Sequence, residues 1–263
     1  MDNILVRFFR QSVLSYKALF GFLDPKVYLT VKVVNPIMQL IFFTLLARFA
    51  YNASDVTPWV IGNAFLLSVY NSLFGVGMVM VSERHFGTLK LVIASTTNNF
   101  LIFIGRAFIH VFDASITVLI GLTIGFIFFG LDFSNTNFLM LILSILVTMF
   151  SSMGMGLFLG SIGLVARDLN LIMNTIFFTL MIFTGAIIPI SSLPVLLSEV
   201  PYFLPITRGI EASKLIIDGQ ISSKIVELLL IEFFIGFCYL IIGYISLKLF
   251  ERIARKSASL DVF

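Results

Sequence analysis

Charge is what this chain of 263 residues has least of. Asp, Glu, Lys and Arg make up 12% of it, against about 25% in an ordinary globular domain, while hydrophobic residues make up 59% and mean hydropathy is +1.07. So few charges cannot clothe a water-facing surface, which excludes a soluble domain and leaves an integral membrane protein. Cysteine is nearly missing as well: Cys238 stands alone inside an apolar run, so neither an internal disulfide nor a thiolate metal site is open to the chain. The two histidines, His85 and His110, belong to no ligand motif, and no metal is expected. No Gly-x-x-x-x-Gly-Lys-Ser/Thr loop occurs, so the chain has no cradle of its own for ATP phosphates. The formal charge of +3 comes without a basic cluster interleaved with exposed aromatics, and nucleic acid is not an expected partner. A secretory signal pattern is missing too. Arg7, Arg10 and Lys17 are spread through Met1 to Leu23 with no continuous apolar core or small-residue cleavage site, and the segment reads as mature sequence.

What fills the chain is long apolar text. Six runs, near Val31–Ala50, Pro58–Val81, Phe100–Leu131, Phe138–Val165, Leu169–Ile190 and Val226–Phe250, are each long enough to cross about 30 Å of hydrocarbon at about 1.5 Å per residue. Ahead of them Leu5, Phe8, Phe9, Val13, Tyr16, Leu19 and Phe20 recur every three or four residues, with Arg7, Arg10, Gln11 and Lys17 largely on other faces. That spacing predicts an amphipathic helix lying in the membrane interface, with a shallow first span as the alternative. Asp24-Pro25 then breaks it. An even number of spans puts both ends on one side. Of the 17 Lys and Arg residues, all but Arg48, Arg208, Lys214 and Lys224 fall on that side, so both termini are expected in the cytoplasm. The expected fold class is all-α and polytopic, with six transmembrane helices.

The apolar runs carry a few informative residues. Gly121-x-x-x-Gly125 and Ser152-x-x-x-Gly156-x-x-x-Gly160 put small residues on one helix face and let another backbone come close. Asn35, Pro36 and Gln39 are expected to bend the first span and turn polar groups inward. In the third span Arg106, His110 and Asp113 are spaced by four and three, an intramembrane polar cluster stacked along one face. Asp113 is the one acid that reads as convincingly buried. It fits either a polar site on a translocation route or a structural pair neutralised by Arg106 or His110.

Two polar stretches interrupt the apolar text. In Ser82–Thr97, Ser82 can cap a helix start and Glu83 suits the first turn, where amides and the helix dipole favour a carboxylate. This predicts a short helix on the cytoplasmic face, with a plain charged loop as the alternative. Between Ile190 and Val226 the text is rich in Leu, Val and Phe but punctuated, counting Pro189 just ahead of it, by Pro189, Pro194, Pro201 and Pro205. Proline breaks helices wherever an amide donor is needed. Short helices dipping into the outer leaflet over the exit of a pathway are expected, or else an ordinary outer loop.

Both stretches resemble the membrane subunits of ABC-2 type exporters. Glu83-Arg84-His85-Phe86-Gly87-Thr88-Leu89-Lys90 is similar to the family's Glu-Arg-x-x-Gly-Thr-Leu-Glu-like segment between spans two and three, departing at Lys90, so no salt bridge is carried over from that position. Gly185-Ala186-Ile187-Ile188-Pro189-Ile190-Ser191-Ser192-Leu193-Pro194 is similar to the run that ends span five. Leu204-Pro205-Ile206-Thr207 resembles the turn that follows, with Leu204 where Asn is frequent. Arg167-Asp168 resembles a common cytoplasmic pair, and Glu211-Ala212-Ser213-Lys214 a Glu-x-x-Arg-like element.

The resemblance implies an interfacial helix over 1–30 and an ABC-2 type transmembrane domain over 31–263. It implies a coupling helix in which Ser82, Glu83, Arg84, Gly87, Thr88 and Leu89 meet a separate ATP-binding cassette ATPase, with ATP and Mg bound on that partner. It implies a substrate route or outer gate involving Phe183, Ile187, Pro189, Pro205 and Thr207. A second permease copy, identical or not, completes the route, in a bacterial cytoplasmic membrane. The chain itself is then non-catalytic. The implied cargo is a hydrophobic or amphipathic small molecule, lipid or peptide, with lipid-linked glycan as the alternative. Two other classes have less in the sequence. An ion-driven carrier wants midplane polar sites and often internal repeats, and an intramembrane enzyme wants a nucleophile with a base, paired carboxylates or a metal set.

Overall fold

A computed structural model describes residues 12–14, 17, 24–88, 99–166, 168–220 and 222–256. Among them every regular element is helical. The amino-terminal helix expected ahead of Asp24 is described at Ser12–Leu14 and Lys17, which are helical; the rest of that expectation lies outside the described residues.

Asp24 accepts the Lys26 amide at 2.8 Å and caps α1 (Pro25–Leu29), with Pro25 in the first turn where its missing amide costs nothing. Thr30–Val34 widens into a π-helical turn, the Asn35 amide reaching back five residues to the Thr30 carbonyl. Pro36 follows at once. It has no N–H to give the Lys32 carbonyl, so the regular ladder is interrupted here in any case. α2 (Asn35–Tyr51) then runs to Asn52, which closes it in the left-handed region at φ 48°. α3 (Thr57–His85), α4 (Asn99–Phe129) and α5 (Phe138–Ile162) follow. Asn137 caps α5 by accepting the Met140 amide, and Asp168 caps α6 (Leu169–Phe183) by accepting the Leu171 amide. Three 3-10 turns, Ile190–Ser192, Val195–Leu197 and Val200–Phe203, lead to α7 (Thr207–Ile217) and the long α8 (Ser223–Lys256).

α3 is the axis of the bundle. Every residue from Val60 to Val69 is buried, and the helix touches α2, α4, α5, α6 and α7. A helix apolar on all sides is stable only when neighbours surround it, and small residues let them close in. A Cβ at Gly125 would lie 2.4 Å from Val60, and one at Gly121 would lie 2.8 Å from Ala64, so α4 approaches α3 along the expected glycine face. Gly156 and Gly160 of α5 meet α3 at Val76 and Gly77 in the same way. On its other side α5 meets α8, where a Cβ at Gly154 would stand 2.6 Å from the Gly236 carbonyl oxygen.

Among the described residues, five helical stretches are long and apolar enough to cross a membrane: Lys32–Tyr51, Thr57–Glu83, Phe100–Phe129, Phe138–Ile162 and Ser223–Ile253. The run expected as span five is different. Its helix stops at Phe183 after 15 residues, about 22 Å at 1.5 Å per residue, short of the roughly 30 Å of hydrocarbon. From Thr184 to Ile188 the chain bends, with Gly185 at φ 74°. The carbonyls freed by the bend are met by protein. Trp59 Nε1 donates to Ile187 O at 3.0 Å and Lys214 Nζ to Gly185 O at 3.1 Å. Irregular backbone needs such partners wherever water cannot reach it.

The α5–α8 contact makes the packing testable. Gly154→Leu is expected to destabilise the chain by about 2 kcal/mol through overpacking, read as a lower midpoint of thermal unfolding in detergent. A midpoint equal to the parent's would show that the two backbones are not held this close.

Candidate functional site

The stretch expected to begin a new helix at Ser82 instead ends an old one. Ser82, Glu83, Arg84 and His85 form the last turn of α3, so Ser82 caps nothing and Glu83 sits at a carboxyl-terminal rather than an amino-terminal end. The reason is the uninterrupted helix-forming text of the second span, which carries on through them. Gly87 stops it at φ 69°, and the Thr88 amide bonds back to the Glu83 carbonyl at 2.9 Å, the closing bond of a Schellman turn. Leu89, like the rest of the expected coupling helix to Thr97, lies outside the described residues. The Glu83 carboxylate is engaged twice within the chain. It forms an ion pair with Arg106 at the start of α4 and accepts a hydrogen bond from Thr88 Oγ1. The two helices that flank residues 89–98 are thereby pinned together.

The polar face of α4 does not close on itself as the spacing suggests. Arg106 turns to Glu83, and Asp113 takes its partner from another helix, an ion pair with Lys32 of the π-turn. His110 is fully buried against α3 where Gly75 leaves room for it, a Cβ there falling 2.4 Å from the imidazole Nδ1. Each of the three side chains therefore faces a neighbouring helix. Heptad spacing could not reveal Lys32, because the π-turn changes which way that side chain points.

A second buried acid escaped the sequence reading. Glu232 of α8 is 0% exposed and accepts a hydrogen bond from Ser151 Oγ of α5 and, at 2.6 Å, from the Ile206 amide. Ile206 has φ 72°, a left-handed conformation costing a β-branched residue roughly 1–2 kcal/mol. The carboxylate holds it there. A single acid amid LLLIEFFIGF was the available signal. The residues expected to gate a route consequently divide. Phe183, Ile187 and Pro189 belong to the bend after α6, while Pro205 and Thr207 are buried near Glu232.

None of those five lines the open cleft between α2, α3 and α6. That cleft, about 500 Å³, is walled by Asn35, Gln39, Phe42, Tyr70, Asn174 and Phe178 among others. Tyr70 stacks on Phe74 at 4.2 Å and meets Phe177 edge-on at 5.0 Å, which fixes its ring as one wall. Gln39 Nε2 donates to Asn35 Oδ1 at 3.1 Å, so the polar residues of the bent first span pair with each other in the cleft rather than in the core. Phe42 is 60% and Phe178 57% exposed, apolar surface left open in the cleft. A cavity with aromatic walls and a few amides suits a flat apolar molecule that also carries hydrogen-bonding atoms. Asn174 and Phe178 lie four apart on α6, and an amide one turn from an aromatic in apolar text was the sign that could have found them.

Outside the spanning stretches, Lys214 caps the bend from α7. Burial holds its amine down to about 8 from an ordinary 10.5, while Glu211 and Asp218 pull the other way.

A family model described as ABC-2 type transporter matches residues 12–217, most of the chain, including the end of α3, the cleft and the outer turns. No curated protein matches it.

Two outcomes follow from these contacts. Asp113→Asn is expected to cost about 3 kcal/mol, because it leaves the Lys32 ammonium buried beside a neutral group, and the double variant Lys32→Met with Asp113→Leu should avoid most of that cost; the unfolding midpoints of the parent and the two variants decide. The folded chain gives up the Lys214 proton sooner than the unfolded chain does. Stability should therefore rise with pH between about 8 and 10.5 and stay flat below. Lys214→Met should remove that rise in thermal midpoints taken across the interval.

Proposed function

Because the chain belongs to the ABC-2 type transporter family, we propose that it is the membrane subunit of an ATP-driven exporter, that its cargo is a hydrophobic or amphipathic small molecule, and that the cleft between α2, α3 and α6 is half of the cargo site. The observation carrying this reading is the cleft's incompleteness. Its aromatic walls are open on one side, where a second permease copy presenting the same wall would close a cavity of about twice 500 Å³. With α6 and the bend that follows it counted as a sixth, discontinuous span, both termini face the cytoplasm, and so does the segment after Gly87.

On this reading the ATP-binding cassette partner docks on residues 82–98. Gly87 has nothing within 4 Å of where a Cβ would stand, which leaves room for an approaching surface. Arg84, Thr88 and Leu89 flank it in sequence. Glu83 takes a different role from direct contact. Through Arg106 it passes movement of the docked segment to α3 and α4 together. Phe183, Ile187 and Pro189, at the far end of α6, form the outer gate, and the turn at Pro205 and Thr207, anchored through Ile206 to Glu232, holds the three 3-10 turns beside it. ATP and its Mg stay on the partner, and the permease supplies only the route.

The test is transport of fluorescent amphipathic dyes by the permease and its ATPase partner in proteoliposomes. Phe178→Ala and Asn174→Ala are expected to raise the half-saturating dye concentration about tenfold, the scale of a lost aromatic contact or buried hydrogen bond. Glu83→Gln should instead lower the number of dye molecules moved per ATP. Unchanged half-saturation in both cleft variants would remove the cleft from the route.

A further inference from the structure

A second cavity lies elsewhere in the molecule, where Ser12–Leu14, Lys17 and the π-turn meet α4. Ser12 Oγ donates to the Gly105 carbonyl, tying the amino-terminal segment to α4. The Lys32–Asp113 ion pair ties the π-turn to the same helix. Between these two ties is a space of about 440 Å³, whose lining includes Val13, Lys17, Lys32, Phe112, Asp113 and Ile116. It shares no lining residue with the cargo cleft.

The cavity sets a few charges beside a long apolar wall. Among the described residues its lining carries two lysines and one aspartate, one positive charge more than negative. Lys32 answers Asp113, and no other acid stands among the described lining residues beside Lys17. Lys32 opens the first membrane-spanning stretch and Lys17 stands ahead of it in the chain, so both lysines belong to the entry of that span. Ile109, Phe112, Ile116 and Ile120 line one face of α4 at spacings of three and four. That strip is about 16 Å long, close to one leaflet of hydrocarbon. Phe112 and Ile116 are exposed, so the strip is accessible from the side.

From this geometry we infer that the cavity holds an anionic phospholipid, its phosphate beside Lys17 and Lys32 and one acyl chain along Phe112 and Ile116. The charge left over selects an anion, and the strip selects one with a chain. A free phosphate would use the lysines and leave the strip bare. A zwitterionic lipid would use the strip and set its own cation beside Lys17. The bound lipid is a fixed ligand that bridges the amino-terminal segment, the π-turn and α4, separate from whatever the cleft carries.

Native mass spectrometry of the full chain in detergent tests this with three probes: phosphatidylglycerol, phosphatidylcholine with the same acyl chains, and glycerol 3-phosphate. Phosphatidylglycerol should be retained about fivefold over phosphatidylcholine, the scale of one lysine near a headgroup, and glycerol 3-phosphate should not displace it. Lys17→Gln should abolish that preference and Lys17→Arg should keep it. Both side chains project from an exposed position, so folding is not at stake. Ile116→Trp, also at an exposed position, should lower retention of both lipids by filling the strip. Equal retention of the two lipids, displacement by glycerol 3-phosphate, or an unchanged preference in Lys17→Gln would each overturn the assignment.

Discussion

Inside hydrocarbon an unmatched carbonyl or charge has no water to turn to, and each costs several kcal/mol. Among the described residues, three departures from plain helix are each met by a named side chain from another element. At the π-turn, Lys32 finds Asp113 on α4. At the bend after α6, the carbonyls of Ile187 and Gly185 find Trp59 and Lys214. At the left-handed Ile206, the amide finds Glu232 on α8. These contacts join segments far apart in sequence, so the irregular parts of the chain exist because the regular parts are assembled around them.

Regular packing is uneven in a way that matters. α3 is sealed by α4 and α5 through backbone-close contacts at Gly121, Gly125, Gly156 and Gly160, and α5 is sealed to α8 at Gly154 and Gly236. α2 and α6 have far fewer neighbours, and their outer faces carry exposed Phe42, Leu45, Phe49 and Phe178. Segments with sparse buried contacts are the ones that move at least cost. The cleft lies between the two lightly held helices and the firmly held α3.

Much of this was legible in the text of the chain. Long apolar runs gave five of the helices near their observed bounds, because span length is set by the thickness of hydrocarbon and little else, whereas the run Leu169–Ile190 stays helical only to Phe183. The glycine spacing in α4 and α5 told which faces would meet a neighbour. What the text did not carry was direction. Arg106 and Asp113 look like partners at helical spacing, yet each is drawn to a charge on a different helix, Glu83 and Lys32, that periodicity cannot place. Ser82 looks like a cap because it opens a polar stretch, but helix propagation through Glu83 and His85 is stopped only by Gly87. The cleft was half visible. Asn35 and Gln39 stood out as polar residues in an apolar span, whereas Tyr70 and Phe178 are ordinary aromatics until folding brings α3 and α6 side by side.

One element touches every part of the proposed transport cycle. α3 is 29 residues long, about 43 Å of helix, and its burial on all sides makes it stiff. Glu83 at one end adjoins the segment assigned to the ATPase. Tyr70, thirteen residues earlier and therefore about 20 Å along the axis, forms a wall of the cleft. Trp59 at the other end holds the Ile187 carbonyl of the outer bend. Coupling over such distances needs a rigid member with two positions, and a rod gripped by glycine contacts can tilt without losing its hydrogen bonds. On the proposed reading, a small tilt at Glu83 would displace Tyr70 and Trp59 in step, opening the cleft at one level while shifting the bend at another. The Arg106 pair would then make α4 follow, so that the displacement is not absorbed in the segment between the two helices.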